Sequence, residues 1–390
     1  MTSRPEEVPP SEDIPDLLEL DDDVSQAGPS TDHYDRPKVP ITLLTGYLGA
    51  GKSTLLEYIL TANHGYRIAV CMNDFGDTTD IEAKALTLSN PDDNTQTSSM
   101  LSLPNGCLCC SVKDMGIAAI EEMVAAQRDK VDWVVVELTG VADPGPIAKS
   151  FWENEEMGDL VLDGIICVVD SRNILKQLSE ERGEGEINEA QKQLAASDVI
   201  LLNKLDLVSA DQVDQVEQVV RSINPTLRLH KTTQSQIDLK ELFDLRAYSA
   251  KPVIGSVDEA KHDHAKCIEE GNDHTVHNSG ITTVLIPLPT LDDVKLERLN
   301  AFLESLLWSG QLPEQVKEIQ TTPEILRTKG FINMEDGREM VLQGVTDLFE
   351  LKEAARGNAG EGERVEGKVV FIGRRVDERL RDALLKFLHA

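Results

Sequence analysis

The sequence predicts an α/β domain with a mostly parallel sheet and a phosphate-binding loop, followed by a smaller α+β unit, and three observations predict it. Gly46-Tyr47-Leu48-Gly49-Ala50-Gly51-Lys52-Ser53-Thr54 fits the Gly-x4-Gly-Lys-Ser pattern between an apolar strand, Ile41-Thr-Leu-Leu44, and a helix bearing Leu55, Leu56, Ile59 and Leu60. Beyond it, short apolar runs alternate with helical segments, as in parallel βαβ units. Past residue 280 the order becomes strand, helix, several strands and a closing helix, which reads as α+β with a mostly antiparallel sheet. The fold class is therefore a P-loop NTPase domain with a C-terminal α+β domain.

The elements follow in order. Residues 1–36 hold eleven acidic residues and two basic ones, Arg4 and Arg36, with several prolines, so too little apolar surface is available for independent order. Residues 1–38 are read as a disordered acidic arm, in which Ile14-Pro15-Asp16-Leu17-Leu18 is apolar enough to dock on a partner, with an incidental apolar trio in a tail as the alternative. The P-loop NTPase domain spans 39–250. It contains a helix at 52–62, a strand at Arg67–Met72, a helix over about 112–128 and a strand at Trp133–Val136. A strand at Gly164–Val169, a helix at 186–196, a strand at Val199–Leu202 and a helix at 210–222 complete it. Residues 83–100, with Ser89-Asn-Pro-Asp-Asp-Asn94, read as a polar, mobile surface loop. Residues 251–280 are an aperiodic polar linker, and 281–390 form the second domain: a strand at 281–287, a helix at 292–307, strands between 325 and 373 and a helix at 376–388.

Bulk properties bound the function. A formal net charge of −31 without Lys/Arg stripes excludes sequence-neutral nucleic-acid binding. No apolar run approaches the roughly 18–20 residues of a membrane span. The Pro- and acid-rich N-terminus lacks the apolar core of a signal peptide, and free thiols fit a reducing compartment. The cytoplasm is the expected location, with the nucleus as an alternative.

Several constellations carry chemistry. In the P-loop, backbone amides and the helix N-terminus hold phosphates, Lys52 contacts the β and γ positions, and Ser53 places a hydroxyl on Mg2+. Asn203-Lys204-Leu205-Asp206 follows an apolar strand, at the sheet edge where ligands bind. A carboxylate on Asp206 accepts guanine N1–H and the 2-amino group together, a pairing adenine lacks, so it selects GTP. Glu137 ends the strand Trp133-Val-Val-Val-Glu137 where a Mg2+-directed carboxylate stands, with a strand-terminal acid capping the next turn as the alternative, and Gly140 then lets backbone approach a γ-phosphate. Asp74, in Asn73-Asp74-Phe75-Gly76, is placed to act on Mg2+ through water or on the attacking water, with a plain Asx turn as the alternative. Cys107-Leu108-Cys109-Cys110 follows the turn signal Asn105-Gly106 and is too tight for a disulfide framework; its soft thiolates favour Zn(II) or Cu(I). Cys71 and Cys167 lie in strand-like runs and read as core-filling thiols. His262, His264, Cys267, His274 and His277 crowd the linker without zinc-finger spacing, so a loose metal collector and a solvated polar linker are both open.

The ordered set of P-loop, Asn-Asp-Phe-Gly, Asn105-Gly-Cys-Leu-Cys-Cys110, Glu137-Leu-Thr-Gly-Val-Ala-Asp-Pro144 and Asn-Lys-Leu-Asp resembles the CobW-like family of metallochaperone GTPases, most closely its eukaryotic branch of zinc-regulated GTPase metalloprotein activators. Arg327-Thr-Lys-Gly-Phe331, Gln343-Gly-Val345 and Phe371-Ile-Gly-Arg374 extend the likeness over about residues 39–388. The resemblance implies GTP hydrolysis, zinc on Cys107, Cys109 and Cys110, and nucleotide contacts from Cys110, Ser111, Val112, Lys113 and Asp114. It also implies that Ile14–Leu18 docks the zinc-finger domain of a client, a type 1 methionine aminopeptidase, although Leu18 stands where the motif has Val and no second Pro follows.

The expected function is thus a zinc metallochaperone that hydrolyses GTP to pass Zn2+ to a client metalloenzyme. Two alternatives stay open: a zinc buffer or sensor in which GTP is a structural ligand, and a GTPase with cobalt or nickel as cargo, which thiolate softness does not separate from zinc.

Overall fold

The computed structural model describes residues 37–62, 65–71, 85–90, 93–100, 113–126, 128–180, 186–249, 280–313, 323–354 and 366–389. The acidic arm, Asp74, the Cys107–Cys110 cluster with Ser111 and Val112, and the His-bearing linker lie outside them.

β1 (Val39–Thr45) lies near the centre of an eight-stranded sheet. β5 (Trp133–Glu137) and β2 (Ile68–Cys71) follow on one side, and β6 (Leu160–Asp170), β7 (Val199–Asn203) and β8 (Arg228–Lys231) on the other, all parallel. Crossover connections explain the direction: α1 (Lys52–Thr61), α2 (Lys113–Ala126), α3 (Pro144–Glu153), α5 (Glu189–Ala196) and α6 (Ala210–Ile223) return the chain so that each strand restarts at the same edge. α4 (Ile174–Leu178) is a single short turn before α5.

Both faces are covered, so the strands read as continuous apolar runs. Along β7, Val199 and Leu201 enter one layer with α1, while Ile200 and Leu202 enter the other with α5 and α6. Ile41 and Leu43 of β1 face a third cluster with α2 and α3. Helix starts are locally encoded: Asp143 accepts from Gly145 N to cap α3, whose first residue is Pro144, and Ser209 forms a capping box with Gln212 at α6.

β3 (Ala85–Asn90) and β4 (Asp93–Met100) pair antiparallel and add to the edge of the sheet beside β2, where a surface loop over 83–100 was expected. Asn90 pairs with Asp93, and β3 adds a ladder of backbone hydrogen bonds to β2, so pairing overrides polar composition.

The C-terminal portion is an antiparallel five-stranded sheet of order β12-β11-β10-β13-β9, comprising β9 (Thr282–Pro287), β10 (Glu324–Asn333), β11 (Glu339–Val345), β12 (Leu348–Glu353) and β13 (Lys368–Arg374). One face is covered by α7 (Asp293–Leu307) and α8 (Glu378–His389) through Phe302, Leu306, Leu380 and Leu384. From the other, Leu326, Val370 and Ile372 join Val216, Val220 and Ile223 of α6 in one cluster. No helix among the described residues is long and apolar enough to cross a membrane.

A candidate nucleotide site at the carboxyl edge of the parallel sheet

β1, β5, β6 and β7 all end at one edge, and the P-loop leaves β1 there. Gly46, Gly49 and Gly51 have φ of 139°, 74° and 114°, so the loop bends as side chains cannot. The fit is also steric, since a Cβ on Gly46 would lie 2.3 Å from Val168 O and one on Gly51 2.4 Å from Asn203 Nδ2. Lys52 opens α1, is buried, and donates from Nζ to Gly46 O at 2.7 Å, so its ammonium lies inside the loop it would share with phosphate oxygens. Burial lowers its pKa, and the nearby Glu137 carboxylate offsets part of that effect. Ser53 and Thr54, in the first turn of α1, are exposed, as a hydroxyl serving Mg2+ requires. Of the remaining loop residues, Tyr47 donates to Glu180 Oε2 at 2.9 Å, Leu48 is solvent-facing, and Ala50 is buried.

Glu137 ends β5 opposite Leu44 and is buried close enough to Lys52 to act on its charge, which puts this carboxylate beside the P-loop as expected. Gly140 follows two residues beyond Leu138. A Cβ there would lie 2.6 Å from both Leu48 N and Leu48 Cγ, so the turn after β5 packs directly on the P-loop. Lys113 and Asp114 open α2.

Asn203 plays a part its motif alone does not reveal. Its Nδ2 donates to Ala50 O at 3.0 Å, and its Oδ1 accepts from Ser235 N at 2.9 Å and Thr232 Oγ1 at 3.2 Å. With Ser235 Oγ donating to Gly51 O at 3.2 Å, the Asn203 amide ties the P-loop to the loop after β8. Lys204, at φ 61°, pairs with Asp170 at 2.8 Å. Burial raises Asp170, but hydrogen bonds from Lys204, Asn173 and Arg172 N outweigh it and hold the carboxylate below its usual range. Leu205 and Asp206 lie in a 3₁₀ turn, with Asp206 exposed and unpaired among the described residues, as a base reader should be.

The structure brings the P-loop, Glu137 and Asn203–Asp206 to one edge of the sheet, beside Asp170, Gln193 and the Thr232–Ser235 loop, which sequence reasoning missed. Position was the available signal for the last, since a loop after the next parallel strand ends at the same edge. Cys71 and Cys167 are buried in the core as expected, and burial pushes the Cys167 thiol up to about 12, so no thiolate forms there. Among the described residues, no three His, Cys, Asp or Glu side chains gather as a metal site.

Known proteins share this architecture. Residues 40–231 match the family described as CobW/HypB/UreG, nucleotide-binding domain, and residues 290–388 match Cobalamin synthesis protein cobW C-terminal domain. The chain is 34% identical over 381 residues to Zinc-regulated GTPase metalloprotein activator 1 of Saccharomyces cerevisiae, covering 92% of this chain and 85% of that one. It is 28% identical over 345 residues to Zinc chaperone YjiA of Escherichia coli, covering 87% of this chain and 95% of that one. The crystal structure of Zn(II)-bound YjiA GTPase from E. coli aligns with a TM-score of 0.65 at 25% identity, over 90% of this chain and 99% of that chain. With both domains matched in order around the P-loop edge, the chain belongs to the CobW family of GTPases.

Proposed function

We propose that this GTPase, a zinc metallochaperone of the CobW family, carries Zn2+ on Cys107, Cys109 and Cys110 and passes it to a client apo-metalloenzyme, a type 1 methionine aminopeptidase docked through Ile14–Leu18 of the acidic arm. One observation carries the nucleotide half of the reading: Asn203 braces the P-loop, so the phosphate cradle, Glu137 and Asp206 share one edge. There Asp206 reads guanine, Lys52 meets the β and γ phosphates, Ser53 and Glu137 serve Mg2+, Asp74 orients water, and Gly140 faces the γ-phosphate. The segment Cys110–Asp114 joins the thiolate cluster to the start of α2, so nucleotide state and zinc affinity are coupled reciprocally. Three thiolates leave one zinc position open, the kind of site from which metal can leave. The work is done in the cytoplasm.

The test is GTP turnover with and without Zn2+ and with and without the apo-aminopeptidase. Stimulation by both is expected, and stimulation by neither favours the buffer reading. Zinc titrations of the GTP- and GDP-bound protein should give different affinities; equal ones refute the coupling.

A further inference from the structure

Gln193, on α5, is only 1% exposed, yet it carries a polar amide that has to find its partners inside the fold. Its Nε2 donates to Gly140 O at 3.1 Å and to Ala142 O at 3.2 Å. Both partners are acceptors, so the amide must present its nitrogen to them, and a single NH2 group holds two carbonyls of one turn. That turn is closed by Ala142 N donating to Thr139 O at 3.0 Å, and its far side rests on Leu48 of the P-loop. The next residue is held by the same helix, through Lys192 Nζ on Asp143 Oδ2 at 3.3 Å.

We propose, on the reading above that Gly140 faces the terminal phosphate of GTP, that Gln193 is the positioning residue that fixes this turn for GTP over GDP and for hydrolysis. The peptide unit is planar and trans, so anchoring the Gly140 carbonyl toward α5 points the Val141 N–H away from α5. A backbone donor set in advance stabilises charge that develops on a phosphate without reorganising during the reaction. The anchor is also rigid. Asn188 caps the start of α5 by accepting from Gln191 N, and Asn224 Nδ2 donates to Leu194 O, Ala195 O and Ser197 O at its end. A glutamine that only filled space would be matched by leucine; one that aims a turn would not.

The experiment uses the full chain with Gln193→Leu and Gln193→Glu, with folding checked by thermal melting. Readouts are kcat and KM for GTP, and the affinities for GDP and a non-hydrolysable GTP analogue. Gln193→Leu is expected to lower kcat at least tenfold and the ratio of GTP-analogue to GDP affinity at least fivefold, with GDP affinity within twofold of wild type. Gln193→Glu should show the same loss at pH 8 and regain activity relative to wild type as the pH falls toward 6, because a protonated carboxyl restores one donor; Gln193→Leu should not recover. An unchanged kcat and affinity ratio in either folded variant, or an equal fall in GDP and GTP-analogue affinity, overturns the proposal. Gly140→Ala separates the two layers. If it leaves the affinity ratio unchanged, the turn does not meet the terminal phosphate and both readings fall; if it changes the ratio while Gln193→Leu does not, only the role of Gln193 falls.

Discussion

Asp198 should be among the most stability-critical residues of the chain, although it lies outside the nucleotide site. It follows α5 and is 5% exposed. Its Oδ1 accepts from Arg327 Nη2 at 2.6 Å and Lys329 Nζ at 2.8 Å, both from the C-terminal sheet, and its Oδ2 accepts from Ile165 N at 3.1 Å. Arg327 is fully buried, with Cζ 4.4 Å from the Tyr248 ring centroid. Asparagine offers one acceptor oxygen for three donors and leaves two cations without a counter-charge. Removing one partner of a buried ion pair costs about 3–5 kcal/mol, against a total stability of roughly 5–15 kcal/mol. Urea unfolding of Asp198→Asn followed by tryptophan fluorescence should show that loss, since Trp152 packs on Tyr248 at 5.1 Å and reports on this contact. Combining Asp198→Asn with Arg327→Met should cost less than the two single losses added, by about 2 kcal/mol or more, because contacting charges are not independent. A single-variant loss below about 1 kcal/mol, or strict additivity, would refute the reasoning. Burial raises the Asp198 pKa, but Arg327 and Lys329 outweigh it, so its contribution is present at neutral pH and is lost only as the pH falls through that depressed value.

Asp163 should act in the opposite sense: burial pushes its carboxyl up to about 6, and its Oδ2 has no partner among the described residues. Its neutral form therefore adds stability that is full below about pH 4 and lost as the pH rises through about 6, an effect of at most about 3 kcal/mol, and Asp163→Asn should flatten that slope in urea titrations at pH 4.5 and 7.5. Gly51→Ala places a methyl 2.4 Å from Asn203 Nδ2 at φ 114°, so GTP and GDP affinities should both fall at least tenfold in fluorescent-nucleotide binding. Asp206→Ala should leave the melting temperature within about 2 °C, as befits an exposed, unpaired side chain, while weakening GTP binding by about 10- to 1,000-fold with no matching loss for ATP. Unchanged GTP affinity would remove Asp206 as the base reader.

What the sequence discloses is what lies close together along it. The strand, loop and helix around Lys52 are contiguous, and Asn203–Asp206 follows its own strand directly, so both segments are readable. α3 is hidden by Pro144-Gly145-Pro146, which looks like a breaker, although proline suits the first helical turn and Asp143 supplies the cap. β8 is hidden because Arg228-Leu-His-Lys231 is a four-residue edge strand whose half-buried side chains show little apolar pattern. The β3–β4 hairpin is set by pairing and not by composition. Gln193 meets residues about fifty positions away and Ser235 reaches back to Gly51, so neither has a local signature. Arg327 is harder still, since a strand arginine reads as surface until the carboxylate that neutralises it is located across the fold.

The seam between the two sheets also bears on how the chain is made. Val216, Val220 and Ile223 of α6 are covered by Ile281, Leu326, Val370 and Ile372, all of which come later in the chain, the last of them in the final strand. Synthesis at about 5–20 residues per second leaves that stripe of α6 without its later partners on the ribosome for roughly 7–30 s. The nascent nucleotide-binding half therefore passes through a stage with exposed apolar surface, and a chain cut short before the last strand is expected to aggregate more readily than the full chain.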